Sequence, residues 1–127
     1  MDNGHLAQLK AATKLSEEGF AVSMPVDPHC PYDLVVDNGR RLMRVQVKSC
    51  HSFVRGRYAV DISCGSENKK RPYADDAIDA FVVYLTKADA WYVLPIHRVL
   101  GQHRVSLYPH ASTGKYAENR DAWALLR

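Results

Sequence analysis

Apolar and polar positions alternate along this chain with two periods, first helical and then strand-like. Leu6, Leu9, Thr13 and Ser16, with Ala12 and Leu15 beside them, follow helical spacing. They predict an α-helix from about His5 to Glu18, stopped by Gly19. Phe20 to Pro25 alternates as a short strand does, and Pro25, Pro28 and Pro31 then punctuate a loop. Leu34-Val35-Val36 is a short apolar run followed by Asn38-Gly39, a strong signal for a tight hairpin turn. Leu42 to Lys48 alternates, with Met43, Val45 and Val47 on one face and Arg44, Gln46 and Lys48 on the other. Arg57 to Ser63 predicts a third strand with Tyr58, Val60 and Ile62 on one face, and Gly65 to Arg71 a polar, basic loop. A short helical turn is expected over Tyr73–Asp79, with Asp75 and Asp76 as caps. Ala80 to Leu85 is apolar throughout, as a strand buried on both faces is, and Ala90 to Leu94 is the next strand, ended by Pro95. Ile96–Leu100 predicts a helical turn, Arg104–Tyr108 an edge strand, and Glu118–Leu126 a terminal helix. This order predicts the α/β class, with one central mixed sheet flanked by helices in a single domain over residues 1–127.

Composition narrows the function classes. With 46% hydrophobic and 24% charged residues, the chain has the balance of an ordinary globular domain. No apolar run is long enough to span a bilayer, so no membrane association is expected. Met1-Asp2-Asn3-Gly4 lacks the basic and apolar regions of a secretory signal. Three cysteines, Cys30, Cys50 and Cys64, then suit free thiols in a reducing compartment, and a cytoplasmic, DNA-associated location is expected. His29-Cys30 and Cys50-His51 show no zinc-ligand spacing. The net charge is only +3, but the cations cluster: Arg40, Arg41 and Arg44; Arg55 and Arg57; Lys69, Lys70 and Arg71. Clustered cations are the footprint of a phosphate-binding face, such as a nucleic acid would meet.

The chemistry concentrates at Pro31-Tyr32-Asp33 and Gln46-Val47-Lys48. Gln46 and Lys48 leave the same face of their strand, and the hairpin folds Asp33 against them. A carboxylate, a carboxamide and an ammonium on one side of a sheet suit phosphodiester hydrolysis. The carboxylate is a hard ligand for Mg²⁺, which polarises phosphate and acidifies bound water. The lysine orients that water and offsets charge on the pentavalent phosphorus. The Val47 carbonyl offers one more hard oxygen, and Arg44 a contact to a flanking phosphate. Asp79 suits either support of the site or the entrance of the following strand, and His97 and His103 suit surface or phosphate contacts.

Five segments, Phe20–Val26, Pro31–Asp37, Val45–Ser49, Ile78–Tyr84 and Trp91–Pro95, in this order resemble the small PD-(D/E)XK nucleases. The branch that includes the group I intron homing endonucleases is the most similar, and archaeal Holliday-junction resolvases share the general pattern. The resemblance implies a restriction-endonuclease-like core and a Mg²⁺-dependent endonuclease acting on double-stranded DNA, with Mn²⁺ as a substitute. It implies that Asp33 binds metal, that Lys48 is the catalytic lysine, and that Gln46 fills a place where most members carry Glu or Asp. It also sets Gln8 where many relatives place a Glu on the first helix, leaving Asp33 as the anionic ligand. Three readings follow: a sequence-specific homing-type double-strand cutter, a junction-specific nuclease, or a weakened DNA-binding module on the same fold. A homo-oligomer, dimer or tetramer, is expected, because duplex cleavage needs two sites related by symmetry. Tyr92, Leu94, Val99, Leu107, Tyr108, Tyr116 and Trp123 exceed what one small core takes up, so some are expected at subunit contacts.

Overall fold

The computed structural model describes residues 3–65 and 67–127. Met1, Asp2 and Ser66 (the last within the predicted basic loop) lie outside the described residues. Helix α1 spans Asn3–Glu17. Its buried stripe is Ala7, Ala11 and Leu15, one turn apart. Leu6 and Leu9, whose spacing marks the helix in the sequence, are exposed. The small side chains at the contact let the helix backbone approach the sheet closely. Gly19, at φ 96°, ends the helix, with the Phe20 N–H on the Leu15 carbonyl and the Gly19 N–H on the Ser16 carbonyl. Those paired bonds define a Schellman stop, which a left-handed glycine makes without strain.

The strands are β1 (Ala21–Ser23), β2 (Leu34–Asp37), β3 (Leu42–Cys50), β4 (Phe53–Val54), β5 (Arg57–Asp61), β6 (Ser63–Cys64), β7 (Arg71–Pro72), β8 (Ala80–Leu85), β9 (Ala90–Pro95) and β10 (Arg104–Leu107). The central sheet runs β1-β2-β3-β8-β9. Only β3 and β8 pair in parallel; the other pairs are antiparallel, so the sheet is mixed. One face packs on α1 through Leu34, Val36, Met43, Val45, Val82 and Val93. The other face, with Phe81, Val83, Leu85, Tyr92 and Leu94, packs on Tyr58, Val60, Val105 and Leu107 of the small sheet β10-β5-β4. The chain is therefore an α/β protein whose mixed sheet carries a helix on one face and a second sheet on the other.

Several local expectations change. Glu118–Leu126 forms no α-helix but two 3₁₀ turns, Ala117–Asn119 and Trp123–Leu126. Asp121, between them, sits at φ 50°, outside helical geometry. Its N–H bonds the Trp91 carbonyl, and the Asn119 carboxamide bonds the Val93 carbonyl, so this segment covers the open edge of β9. The turn expected over Tyr73–Asp79 forms as a single hydrogen-bonded turn, with the Ala77 N–H on the Ala74 carbonyl, but Asp75 and Asp76 cap no helix. The hairpin between β2 and β3 forms, but through the four-residue loop 38–41 in place of a tight two-residue turn. Asn38 Oδ1 accepts the N–H groups of both Arg40 and Arg41, while its Nδ2 bonds the Leu126 carbonyl. Of the seven C-terminal side chains expected partly at subunit contacts, Tyr92, Leu94, Val99, Leu107, Tyr116 and Trp123 are buried and Tyr108 is exposed. Two faces of the sheet, each with its own apolar cluster, provide the space that a single core lacks.

Candidate active site

Strand β3 outruns its neighbour. β2 pairs with it only from Leu42 to Val45. On the opposite side, the Arg44 and Cys50 carbonyls accept N–H groups from Asp79 and Thr86 at the two ends of β8. Alternation along a strand then turns the backbone of odd-numbered residues toward the β2 edge. There Val47 presents its N–H and carbonyl where β2 has already ended.

Asp33 fills that gap. Its N–H bonds the Val45 carbonyl at 2.9 Å, and its Oδ2 accepts the Val47 N–H at 2.9 Å. The carboxylate thus stands in for the missing strand and is fixed beside Gln46 and Lys48. Gln8 reaches over from α1, its Nε2 donating to the Asp33 carbonyl at 2.8 Å. Asp33, Gln46, Val47, Lys48 and Gln8, from the hairpin and the helix, line one cleft of about 700 Å³ with Tyr32. The proline-rich stretch from Pro25 to Pro28 forms its far wall. A second cleft of about 620 Å³, between α1 and the β8–β9 turn, holds none of these residues.

The electrostatics follow from half-burial. Burial pushes the Asp33 carboxyl up, against the Val47 hydrogen bond and the Lys48 charge, which both lower it. Burial likewise pushes the Lys48 ammonium down, against the attraction of Asp61 and Asp33. Lys48 Nζ donates to the Ser63 carbonyl at 3.4 Å and lies 5.7 Å from the centre of the Tyr73 ring. Burial first, then the nearby Cys64, Asp33 and Asp61, raise the Tyr73 hydroxyl to about 12.

Asp33 Oδ1 and the Gln46 carboxamide make no hydrogen bond among the described residues. Together with the Val47 carbonyl they form a set of hard oxygens, which fits Mg²⁺ or Mn²⁺. Among the described residues no three His, Cys, Asp or Glu side chains gather as a metal cluster. A cation held here would rest on one carboxylate and neutral oxygens.

The basic residues divide. Arg40, Arg55, Lys69 and Arg71 are exposed, Arg40 on the β2–β3 loop and Arg55 at the tip of the β4–β5 hairpin. Arg41 and Arg44 lie 3.9 Å from opposite oxygens of Asp79, which also accepts the Arg44 N–H and so holds the entrance of β8. Arg57 donates to Ser106, and Lys70 pairs with Asp61 at 2.6 Å. Asp61 was not singled out in the sequence. No motif surrounds it, and only the fold brings β5 beside Lys48.

A family model described as PD-(D/E)XK endonuclease matches residues 1–126. Among solved structures, a bacterial homing endonuclease superposes with a TM-score of 0.83 at 28% identity, covering 97% of this chain and 89% of that one. A Holliday junction resolvase from the archaeal hyperthermophile Archaeoglobus fulgidus shares the fold at TM-score 0.54 and 18% identity, over 85% of this chain and 88% of that one. No curated protein matches.

Proposed function

The chain belongs to the PD-(D/E)XK endonucleases, and from that premise we propose that it is a metal-dependent, sequence-specific homing-type endonuclease cutting both strands of DNA. The observation that carries this reading is the Asp33 carboxylate locked onto the open edge of β3 beside Gln46 and Lys48. Likeness to a bacterial homing endonuclease over nearly the whole chain supports the homing type.

Asp33, Gln46 and the Val47 carbonyl would hold Mg²⁺, which when bound polarises the scissile phosphate and acidifies a water. Lys48 keeps donors free beyond its bond to Ser63, and one orients the attacking water while another meets the phosphoryl oxygen. Asp33, its Oδ2 held by the Val47 N–H, keeps Oδ1 in place without reorganisation. Arg40, Arg41, Arg44, Arg55, Arg57, Lys69, Lys70 and Arg71 supply phosphate contacts outside the cleft. Arg41 and Arg44 exchange the Asp79 carboxylate for phosphate on binding, whereas Lys70 keeps Asp61 and meets phosphate with its remaining donors. Two copies, or two pairs, place two clefts on one duplex.

The test begins with a randomised duplex pool, incubated with the protein and Mg²⁺ or Mn²⁺, from which the cut sequence is recovered. Wild type is expected to cut one family of duplexes on both strands. Asp33→Asn and Lys48→Ala should bind that duplex without cutting it. Cleavage of four-way junctions in preference to every duplex would replace the homing reading with a junction-specific one. Tight binding with no cleavage in either metal would leave only a DNA-binding module.

A further inference from the structure

Lysine is a flexible point charge with three donors, so a catalytic lysine needs something to aim it. Here the aim comes from outside the cleft. Ser63 is buried, at 5% exposure, and its carbonyl accepts Lys48 Nζ at 3.4 Å. Ser63 is held in turn by one atom: Asp61 Oδ1 accepts both its N–H, at 2.8 Å, and its Oγ–H, at 2.6 Å. Asp61 Oδ2 pairs with Lys70 at 2.6 Å. Asp61 itself does not line the cleft. On another side of Lys48, the Tyr73 ring stands edge-on to Phe81 with centroids 5.1 Å apart, so that wall is fixed by core packing. The Ser63 wall is also buried, but what fixes its orientation is the pair of hydrogen bonds to Asp61. It belongs to a two-residue strand paired only with β7, and a ribbon of that length does not hold its own geometry.

We propose that Asp61 is a positioning residue for the reaction: by gathering both donors of Ser63, it aims the Ser63 carbonyl at the Lys48 ammonium. The inference rests on the reading of Lys48 as the catalytic lysine. Hydrogen-bond acceptance is the operative property, and the pairing with Lys70 steadies the carboxylate that accepts. Because Asp61 acts through Ser63 and Lys48, its loss should lower the rate of the bound complex and leave DNA affinity in place.

The experiment measures single-turnover cleavage of the selected duplex across a range of protein concentrations in Mg²⁺, with melting curves as a check on folding. Asp61→Ala is expected to lower the saturating rate on the order of ten- to a hundredfold, the scale of a misplaced catalytic group, with an unchanged half-saturating concentration. Asp61→Asn keeps an acceptor oxygen and should return the rate to within about threefold of wild type, the loss of charge costing far less than the loss of geometry. Ser63→Ala, which removes one of the two donors, should fall between wild type and Asp61→Ala. A wild-type rate in Asp61→Ala overturns the proposal, as does a raised half-saturating concentration at unchanged rate. Equal losses in Asp61→Asn and Asp61→Ala would assign the effect to charge and also overturn it. Lys48→Ala runs in the same assay. If it is inactive while Asp61→Ala is normal, only the positioning role fails; if it cuts normally, the catalytic assignment of Lys48 fails first and takes this proposal with it.

Discussion

Replacing Gln8 by Glu alters one donor at the rim of the cleft and should change sign with metal. In the native chain Gln8 Nε2 donates to the Asp33 carbonyl at 2.8 Å, tying α1 to the loop that precedes β2. Glutamate cannot donate when ionised. Losing this half-buried bond costs about 1 kcal/mol, and the new carboxylate meets a carbonyl and the half-buried Asp33 carboxylate. Like charges at one site raise each other's pKa and add to the cost. For a chain of 127 residues, each kcal/mol corresponds to a change in Tm of roughly 3–4 °C. In EDTA, Gln8→Glu should therefore melt at least about 3 °C below wild type. Mg²⁺ reverses the balance, because a second anion turns the repulsive pair into a chelate. At a hundred times the variant's Kd the cation adds about 2.7 kcal/mol to the variant and about 1.4 kcal/mol to a wild-type site that binds about tenfold more weakly, a difference that offsets the lost hydrogen bond. The variant should then melt at or above wild type, and half-maximal cleavage should move to lower Mg²⁺. Calorimetric or dye-based melting across a Mg²⁺ titration, run beside cleavage, measures both. Equal Tm values in EDTA and superimposable Mg²⁺ curves would refute the reasoning and place Gln8 outside the metal's reach.

Three further outcomes are expected. Tyr73, raised from 10.0 to about 12 by burial and its anionic neighbours, contributes stability that is fully present below pH 10 and lost as pH rises through 12, because the unfolded chain releases this proton first. Tyr73→Phe should flatten that alkaline loss in denaturant melts, and an unchanged slope between pH 10 and 12 would contradict the burial assignment. DNA affinity should fall steeply with salt, each phosphate contact adding about 0.9 to the log–log slope; charge reversal at Lys69, Lys70 and Arg71 that leaves affinity and slope unchanged would remove that loop from the interface. Sedimentation equilibrium should show a dimer or tetramer, with exposed Leu6, Leu9, Leu42, Leu100 and Leu125 as candidate contacts; a monomer at micromolar concentration, still monomeric on duplex, would exclude it.

The elements legible in the sequence are those whose signal is local. Alternation of Met43, Val45 and Val47 against Arg44, Gln46 and Lys48 is a property of the strand itself, so β3 and its two faces could be read directly. The apolar run Ala80–Leu85 could only be a strand buried on both sides, and all six residues are buried. Asp33, Gln46 and Lys48 were legible because one hairpin separates them and pairing across a hairpin is near in sequence. The inner face of α1 is not marked by its leucines Leu6 and Leu9, because size and not hydrophobicity selects Ala7 and Ala11 at a close helix–sheet contact.

By itself, then, the sequence determined the strands of the central sheet, the hairpin and the chemical trio on its face, since each arises from periodicity or from short-range pairing; the two-residue strands β4, β6 and β7 left no such signal. Only the tertiary structure decided what surrounds that trio. The parallel pairing of β3 with β8 joins segments separated by two small ribbons, and no local signal specifies it. The end of β2 at Leu34, which opens the edge of β3 to the Asp33 carboxylate, depends on where two strands part rather than on either strand's residues. The Lys70–Asp61–Ser63–Lys48 chain crosses three elements. Hydrogen bonds of this kind carry no sequence period, because what brings their partners together is the packing of one sheet against another.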